Sequence, residues 1–266
     1  MPSLEEDAIE QLASALSMPD PEPSEDYLHH FLQSFSRIVY ENLSKIVRYA
    51  EIPNPKEAIR LPELLIADYF EFGTGGTCFS LTYLAYRMLR QFGLDVSIVM
   101  GDRSYGEDTH TALVCDLTGR AFLLDVGFLI FQPVPLDSRQ PCRVTTPINK
   151  FEIVPAARNL FDAYTHFRGK RKHRFTIKLD RLDGDAFLPF WWRTFNFGMM
   201  AYPLVTKLEA GTQYYLQNNV FQIRTADATI KKEYDPEELP ELVQGSFGID
   251  PQITRRALEL CGKRKT

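Results

Sequence analysis

At 266 residues with 44% apolar side chains, the chain can bury a substantial core and form more than one subdomain. A net charge of −5 gives no global attraction to nucleic acid or to an anionic membrane surface. No apolar run reaches the ~18 residues of a membrane span. The acidic start, Met1 to Asp7, lacks the basic and apolar regions of a secretory signal. The 4 cysteines, at positions 78, 115, 142 and 261, show no metal-ligand spacing. Reduced thiols in a cytoplasmic protein with no metal are therefore expected.

Taken in chain order, residues 4–16 predict a short, loosely attached helix. Met18-Pro19-Asp20-Pro21-Glu22-Pro23 reads as a stiff, helix-free connector. Ser24 is placed to cap a helix through Tyr27, Leu28, Phe31, Leu32 and Phe35. A helix over Leu61 to Phe70 follows, and then one that begins near Cys78. In the latter, Phe79, Leu81, Leu84, Ala85, Met88 and Leu89 recur at helical spacing, and Gly93 suits its C-terminus. From Val96 the pattern changes to short apolar runs broken by turn residues. Val96 to Met100, the Thr111–Cys115 and Phe122–Phe128 runs joined at Thr118-Gly119, and Arg174 to Leu179 read as an antiparallel sheet or small barrel. Arg168 to Arg174 is the dense basic cluster. It is expected as a solvated loop, with contact to the phosphates of a CoA-type donor as its functional alternative. Phe190 to Phe197 is an aromatic block suited to packing, Tyr214 to Arg224 reads as strand, and residues 251–261 as helix.

The chemistry concentrates at Cys78. It ends the run Gly73-Thr74-Gly75-Gly76-Thr77 and opens a helix, whose N-terminal N–H groups and macrodipole favour a thiolate and an oxyanion beside it. His110 opens an apolar strand and can serve as the base of a thiol nucleophile. Asp125 lies in the next strand among apolar residues, where a carboxylate needs a partner, and an imidazole N–H would both satisfy it and fix the tautomer. Cys, His and Asp in this arrangement point to acyl transfer through a cysteine. The same residues leave open amide synthesis with a non-CoA donor, thioester or amide hydrolysis, and a non-catalytic binding protein.

At these residues the chain resembles the arylamine N-acetyltransferase family. The family's Arg-Gly-Gly-x-Cys stands here as Thr74-Gly75-Gly76-Thr77-Cys78. Its strand-opening His is His110, and its Asp-Val-Gly-Phe-Gly is Asp125-Val126-Gly127-Phe128-Leu129. Val39 to Ser44 is similar to the Pro-Phe-Glu-Asn-Leu segment, Gln132 to Leu136 to the proline stretch after the Asp motif, and Asn218 to Thr225 to a C-terminal strand. The resemblance implies an α+β fold with a cysteine-protease-like core. Its parts are a helical domain over 1–94 with the nucleophile, a β-barrel domain over 95–189 with His and Asp, and an α/β lid over 190–266. It implies Cys78 as acetyl-accepting nucleophile, His110 as base and Asp125 as orienter. Gly76, Thr77, Phe128 and Leu129 fall in the substrate and oxyanion vicinity. No bound cofactor is implied. Acetyl-CoA is the co-substrate, an arylamine, hydrazine or related small amine is the acceptor, and neither nucleic acid nor membrane is a partner. Thr74 replaces the family's Arg, Ser80 and Thr82 replace Glu (or Gln) and Asn, and Leu129 replaces a glycine near the cleft, where it is expected to narrow the channel.

Overall fold

The computed structural model describes residues 3–263. Its first third is helical: α1 (Leu4–Ala15), α2 (Glu25–Phe35), a two-residue strand β1 (Tyr40–Glu41), α3 (Leu43–Glu51), α4 (Pro55–Ala58), α5 (Pro62–Phe72) and α6 (Cys78–Gln91). The Ser24 hydroxyl accepts from the Tyr27 N–H at 3.0 Å, capping α2 as its sequence dictates. Helix α1 is firmly docked, contrary to the expectation of loose attachment. Ile9, Leu12 and Leu16 put one apolar face into the core at 1% exposure or less, and Glu5 pairs with Arg87 at 2.8 Å.

The barrel follows as β2 (Asp95–Arg103), β3 (Gly106–Leu117), β4 (Arg120–Asp125), β5 (Ile130–Leu136), β6 (Cys142–Thr145), β7 (Lys150–Ala157), β8 (Leu160–Phe167) and β9 (Lys170–Leu182). These form an 8-stranded antiparallel sheet in the order β5-β4-β3-β2-β9-β8-β7-β6. Its edges nearly meet, since the Gln132 side chain on β5 donates to the Thr145 carbonyl on β6 at 2.7 Å. Alternate residues such as Val99, Ala112, Val114, Phe151 and Phe175 fill its interior. The β3–β4 hairpin turns at Thr118-Gly119 as the sequence predicts, with Gly119 at φ +78°.

The chain then runs through α7 (Gly184–Arg193), two 3-10 turns (Thr194–Asn196, Gly198–Ala201), β10 (Leu204–Glu209), β11 (Thr212–Gln217), β12 (Val220–Arg224), β13 (Thr229–Glu233), a third 3-10 turn (Pro236–Glu238), α8 (Leu239–Phe247) and α9 (Pro251–Lys263). The aromatic block forms the end of α7 and the turns after it. Tyr214 to Arg224 is a hairpin rather than one strand, because Asn218 turns left-handed at φ +54° between β11 and β12. The second sheet, in the order β1-β10-β11-β12-β13, draws β1 from the N-terminal third through the pairs Tyr40↔Thr206 and Glu41↔Val205. Mixed helices and sheet around a nearly closed antiparallel barrel agree with the expected fold class. Among the described residues no helix is long and apolar enough to cross a membrane. None of their His, Cys, Asp and Glu side chains cluster to hold a metal ion.

Candidate active site

The loop before α6 is held by backbone and side chain together. Tyr40 bridges to Gly76, the Glu41 N–H donates to the Gly76 carbonyl at 3.0 Å, and the Gly76 N–H donates to the Val39 carbonyl at 3.3 Å. A Cβ on Gly75 would lie 1.8 Å from the Val39 oxygen, so only glycine allows this approach. Cys78 is the first residue of α6 and is 6% exposed. The Thr77 side chain makes no cap hydrogen bond, which leaves the first N–H groups of α6 unclaimed by a side-chain cap.

His110 and Asp125 are both fully buried. His110 Nε2–H donates to Asp125 Oδ2 at 2.7 Å, and Asp125 Oδ1 accepts from the Phe128 N–H at 2.8 Å, so both carboxylate oxygens are engaged. The β3–β4 ladder ends at Leu113↔Leu124, and the two residues meet diagonally just beyond that pair. The imidazole lies against the Phe175 ring, with centroids 4.2 Å apart, which fixes its plane. Nδ1, buried and without a hydrogen bond, is the ring nitrogen left for the thiol. Gly127 makes the approach of this segment to the cysteine possible. A Cβ there would fall 2.4 Å from the Cys78 Cβ.

A cavity of about 910 Å³ opens on Cys78, lined also by Tyr40, Lys45, Thr77, Arg103 and Tyr202. Burial alone would push the thiol up. The neighbouring His110, and after it the charges of Arg103 and Lys45, outweigh it and hold Cys78 below its usual value. Burial likewise acts to lower His110, but the Asp125 carboxylate prevails and raises it to about 9. Both shifts act in favour of a thiolate beside an imidazolium. The Tyr40 hydroxyl lies 4.0 Å from the sulfur. Lys45, on α3, donates to Thr194 Oγ1 and sits 4.5 Å from the Phe195 ring centroid. Burial holds its amine down to about 7.

The structure brings Cys78, His110, Asp125, Gly76, Thr77 and Phe128 together. Phe128 meets His110 edge-on at 6.3 Å between ring centroids. Leu129 is placed elsewhere. It turns left-handed at φ +60° and lines neighbouring pockets with Ile130, Phe131 and Leu208, not the cavity at Cys78. Ser80 and Thr82 use their hydroxyls locally, donating to the Thr77 carbonyl at 3.1 Å and the Thr111 carbonyl at 3.4 Å.

Sequence reasoning missed Arg60, Lys45, Arg103 and Tyr40's contact with the sulfur. Arg60, 5% exposed, places its guanidinium against Thr74, where the resembling family carries its own arginine. It donates to Thr74 Oγ1 at 3.3 Å, to the Gly75 carbonyl and to Asp68 at 2.9 Å, and it pairs with buried Glu41 at 3.5 Å. A buried Glu inside Tyr40-Glu41-Asn42-Leu43 was the available signal, since such a carboxylate requires a cation.

Comparison with known proteins places this geometry in context. The sequence matches the N-acetyltransferase family over residues 26–256. An uncharacterized acetyltransferase, YvcN of Bacillus subtilis (strain 168), is 32% identical over 89 residues, which are 30% of this chain and 34% of that protein. The chain thus spans about a third of the length of that curated relative. The arylamine N-acetyltransferase of Mycobacterium abscessus superposes with a TM-score of 0.83 at 16% identity, covering 98% of this chain and 99% of that one. The Mycobacterium marinum arylamine N-acetyltransferase in complex with CoA superposes with a TM-score of 0.77 at 16% identity, covering 94% and 97%. At these identities the likeness is one of fold.

Proposed function

The chain belongs to the arylamine N-acetyltransferase family, and from that premise we propose that it carries an acetyl group from acetyl-CoA to an arylamine, hydrazine or related amine through a thioester on Cys78. The observation that carries this reading is the buried His110–Asp125 pair, 2.7 Å apart, set beside a cysteine held below its usual pKa at the N-terminus of α6.

The Cys78 thiolate attacks the thioester carbonyl, and the oxygen that becomes anionic meets the free N–H groups that open α6. His110, protonated in the resting pair, gives its proton to the departing CoA sulfur as the tetrahedral species collapses. Neutral His110 then takes a proton from the attacking amine nitrogen. The amide leaves and the thiolate returns. Asp125 keeps Nε2–H engaged throughout, so that Nδ1 faces the sulfur in both steps. The M. marinum relative is a complex with CoA, which supports CoA thioesters as donors for this fold. A thiolate of this kind requires a reducing compartment, and the cytoplasm supplies one.

Steady-state kinetics test the two-step route. Varying acetyl-CoA at several fixed concentrations of an arylamine should give parallel double-reciprocal lines. Intersecting lines would replace the covalent route with a ternary complex.

A further inference from the structure

Tyr40 reaches the Cys78 sulfur from a strand that also builds the loop carrying the nucleophile. On β1 its backbone bridges to Gly76 and pairs with Thr206 of β10, and the next residue, Glu41, donates its N–H to the Gly76 carbonyl at 3.0 Å. Buried Glu41 is tied in turn to Arg60 at 3.5 Å and to the Ser44 N–H at 2.9 Å. The tyrosine side chain is thus held on a fixed piece of backbone. It is 8% exposed and lines the cavity at Cys78. A hydroxyl so deeply placed needs a hydrogen-bond partner, and the sulfur serves as one at 4.0 Å.

The direction of that hydrogen bond follows from the two acids. Burial, then the negative charge of the Cys78 thiolate, raises the phenol well above its ordinary value, so Tyr40 keeps its proton. Cys78 is held below its own ordinary value. The phenol is therefore the donor and the sulfur the acceptor. The other groups that act on the sulfur are His110 from β3, Arg103 from β2 and Lys45 from α3. Tyr105, at the turn between β2 and β3, acts on Tyr40. His110 gains and loses a proton in the two half-reactions, whereas Tyr40 presents the same O–H in both. A constant donor favours charge on the sulfur, so it helps the sulfur depart as a thiolate and tempers its attack as a nucleophile.

Resting on the acyl-transfer reading above, we propose that Tyr40 is a further catalytic residue, whose hydroxyl donates to the Cys78 sulfur and stabilises it as the leaving thiolate when the acetyl group passes to the amine. The proton stays on Tyr40, and no bond to it forms or breaks. In the family segment Pro-Phe-Glu-Asn-Leu a phenylalanine stands at this position, so the hydroxyl adds to the triad a donor that the segment itself does not carry.

Tyr40→Phe removes the hydroxyl and keeps the ring. The rate at which iodoacetamide alkylates Cys78, followed across pH by the mass of its peptide, gives the midpoint at which the thiolate forms. That midpoint should rise by about one unit in the variant, a roughly tenfold loss of thiolate at any pH well below it. A midpoint that stays or falls overturns the proposal. Cys142, on β6 and not on the wall of this cavity, is the internal control. Its profile should not move, and a shift shared by both cysteines would make the effect structural and count against the proposal.

Single-turnover reactions supply a second readout. At a pH where Cys78 is ionised in both proteins, loading from acetyl-CoA should be no slower in the variant. Discharge to an arylamine should slow by about threefold, the effect of one unit in the leaving group. Loading that slows as much as discharge would overturn the assignment. Alkylation involves no acetyl-CoA, so the two readings fail separately. If acetyl-CoA does not load Cys78, acyl transfer falls, and the alkylation midpoint still decides whether Tyr40 donates to the sulfur.

Discussion

Arg60 reaches into the loop before Cys78 from a segment that the sequence gives no reason to place there. Its guanidinium serves Glu41, Asp68, Thr74 and the Gly75 carbonyl at once, so its removal leaves a fully buried carboxylate with no cation, held by the Ser44 N–H and hydroxyl. Arg60→Ala should lower stability by about 3–5 kcal/mol, as loss of one partner of a buried pair does. Arg60→Lys should recover little of this, because one ammonium cannot span the same acceptors. Denaturant titration reads both, and a loss below about 1 kcal/mol for the alanine variant would mean that Arg60 is incidental to the loop. Cys78, His110 and Asp125 could be picked out as candidates because each sits in a local pattern with a physical signature. Arg60, Lys45 and Arg103 could not. Their partners lie in other elements, and a lone basic residue in a helix or loop carries no sign of what it will face.

At the scale of elements, the sequence marked α2, α6 and the β3–β4 hairpin well, since a Ser cap, helical periodicity and Thr118-Gly119 act within a few residues. Helix α1 looked loosely attached because the prolines after it read as a break. Its Ile9, Leu12 and Leu16 face outweighs that connector by burying itself in the core. The β11–β12 hairpin read as one strand because its turn uses Asn218-Asn219 in place of a glycine. Strand β1 was invisible. Two residues carry no periodicity, and β1 exists because β10 offers it an edge. That strand also brings Tyr40 to the sulfur.

Across the whole molecule, the site lies where α6, the barrel and the segment after α7 converge. We propose the divisions 1–94, 95–189 and 190–266 as the parts that meet there, with β1 tying the first to the last; residues 1–2 and 264–266 of those bounds lie outside the described residues. Burying Lys45 at this junction leaves a trace in global stability. Cys78 is lowered and His110 is raised from 6.5 to about 9, shifts that act on the pH dependence of stability in opposite directions. Lys45 does not cancel. It loses its proton near 7 when folded and near 10.5 when unfolded, so between these values the unfolded state binds more protons and stability rises with pH. Denaturant titration should find the protein more stable at about pH 9 than at about pH 7. Lys45→Met should abolish that slope. Persistence of the slope in the variant would assign it to another group.

The most direct test of the account is the mass of the intact protein after brief exposure to acetyl-CoA with no amine present. One added acetyl group in the unaltered protein, absent in Cys78→Ala and removed when an arylamine is supplied, is the predicted result. An adduct that persists in Cys78→Ala, or one that an amine does not discharge, would contradict acyl transfer through Cys78.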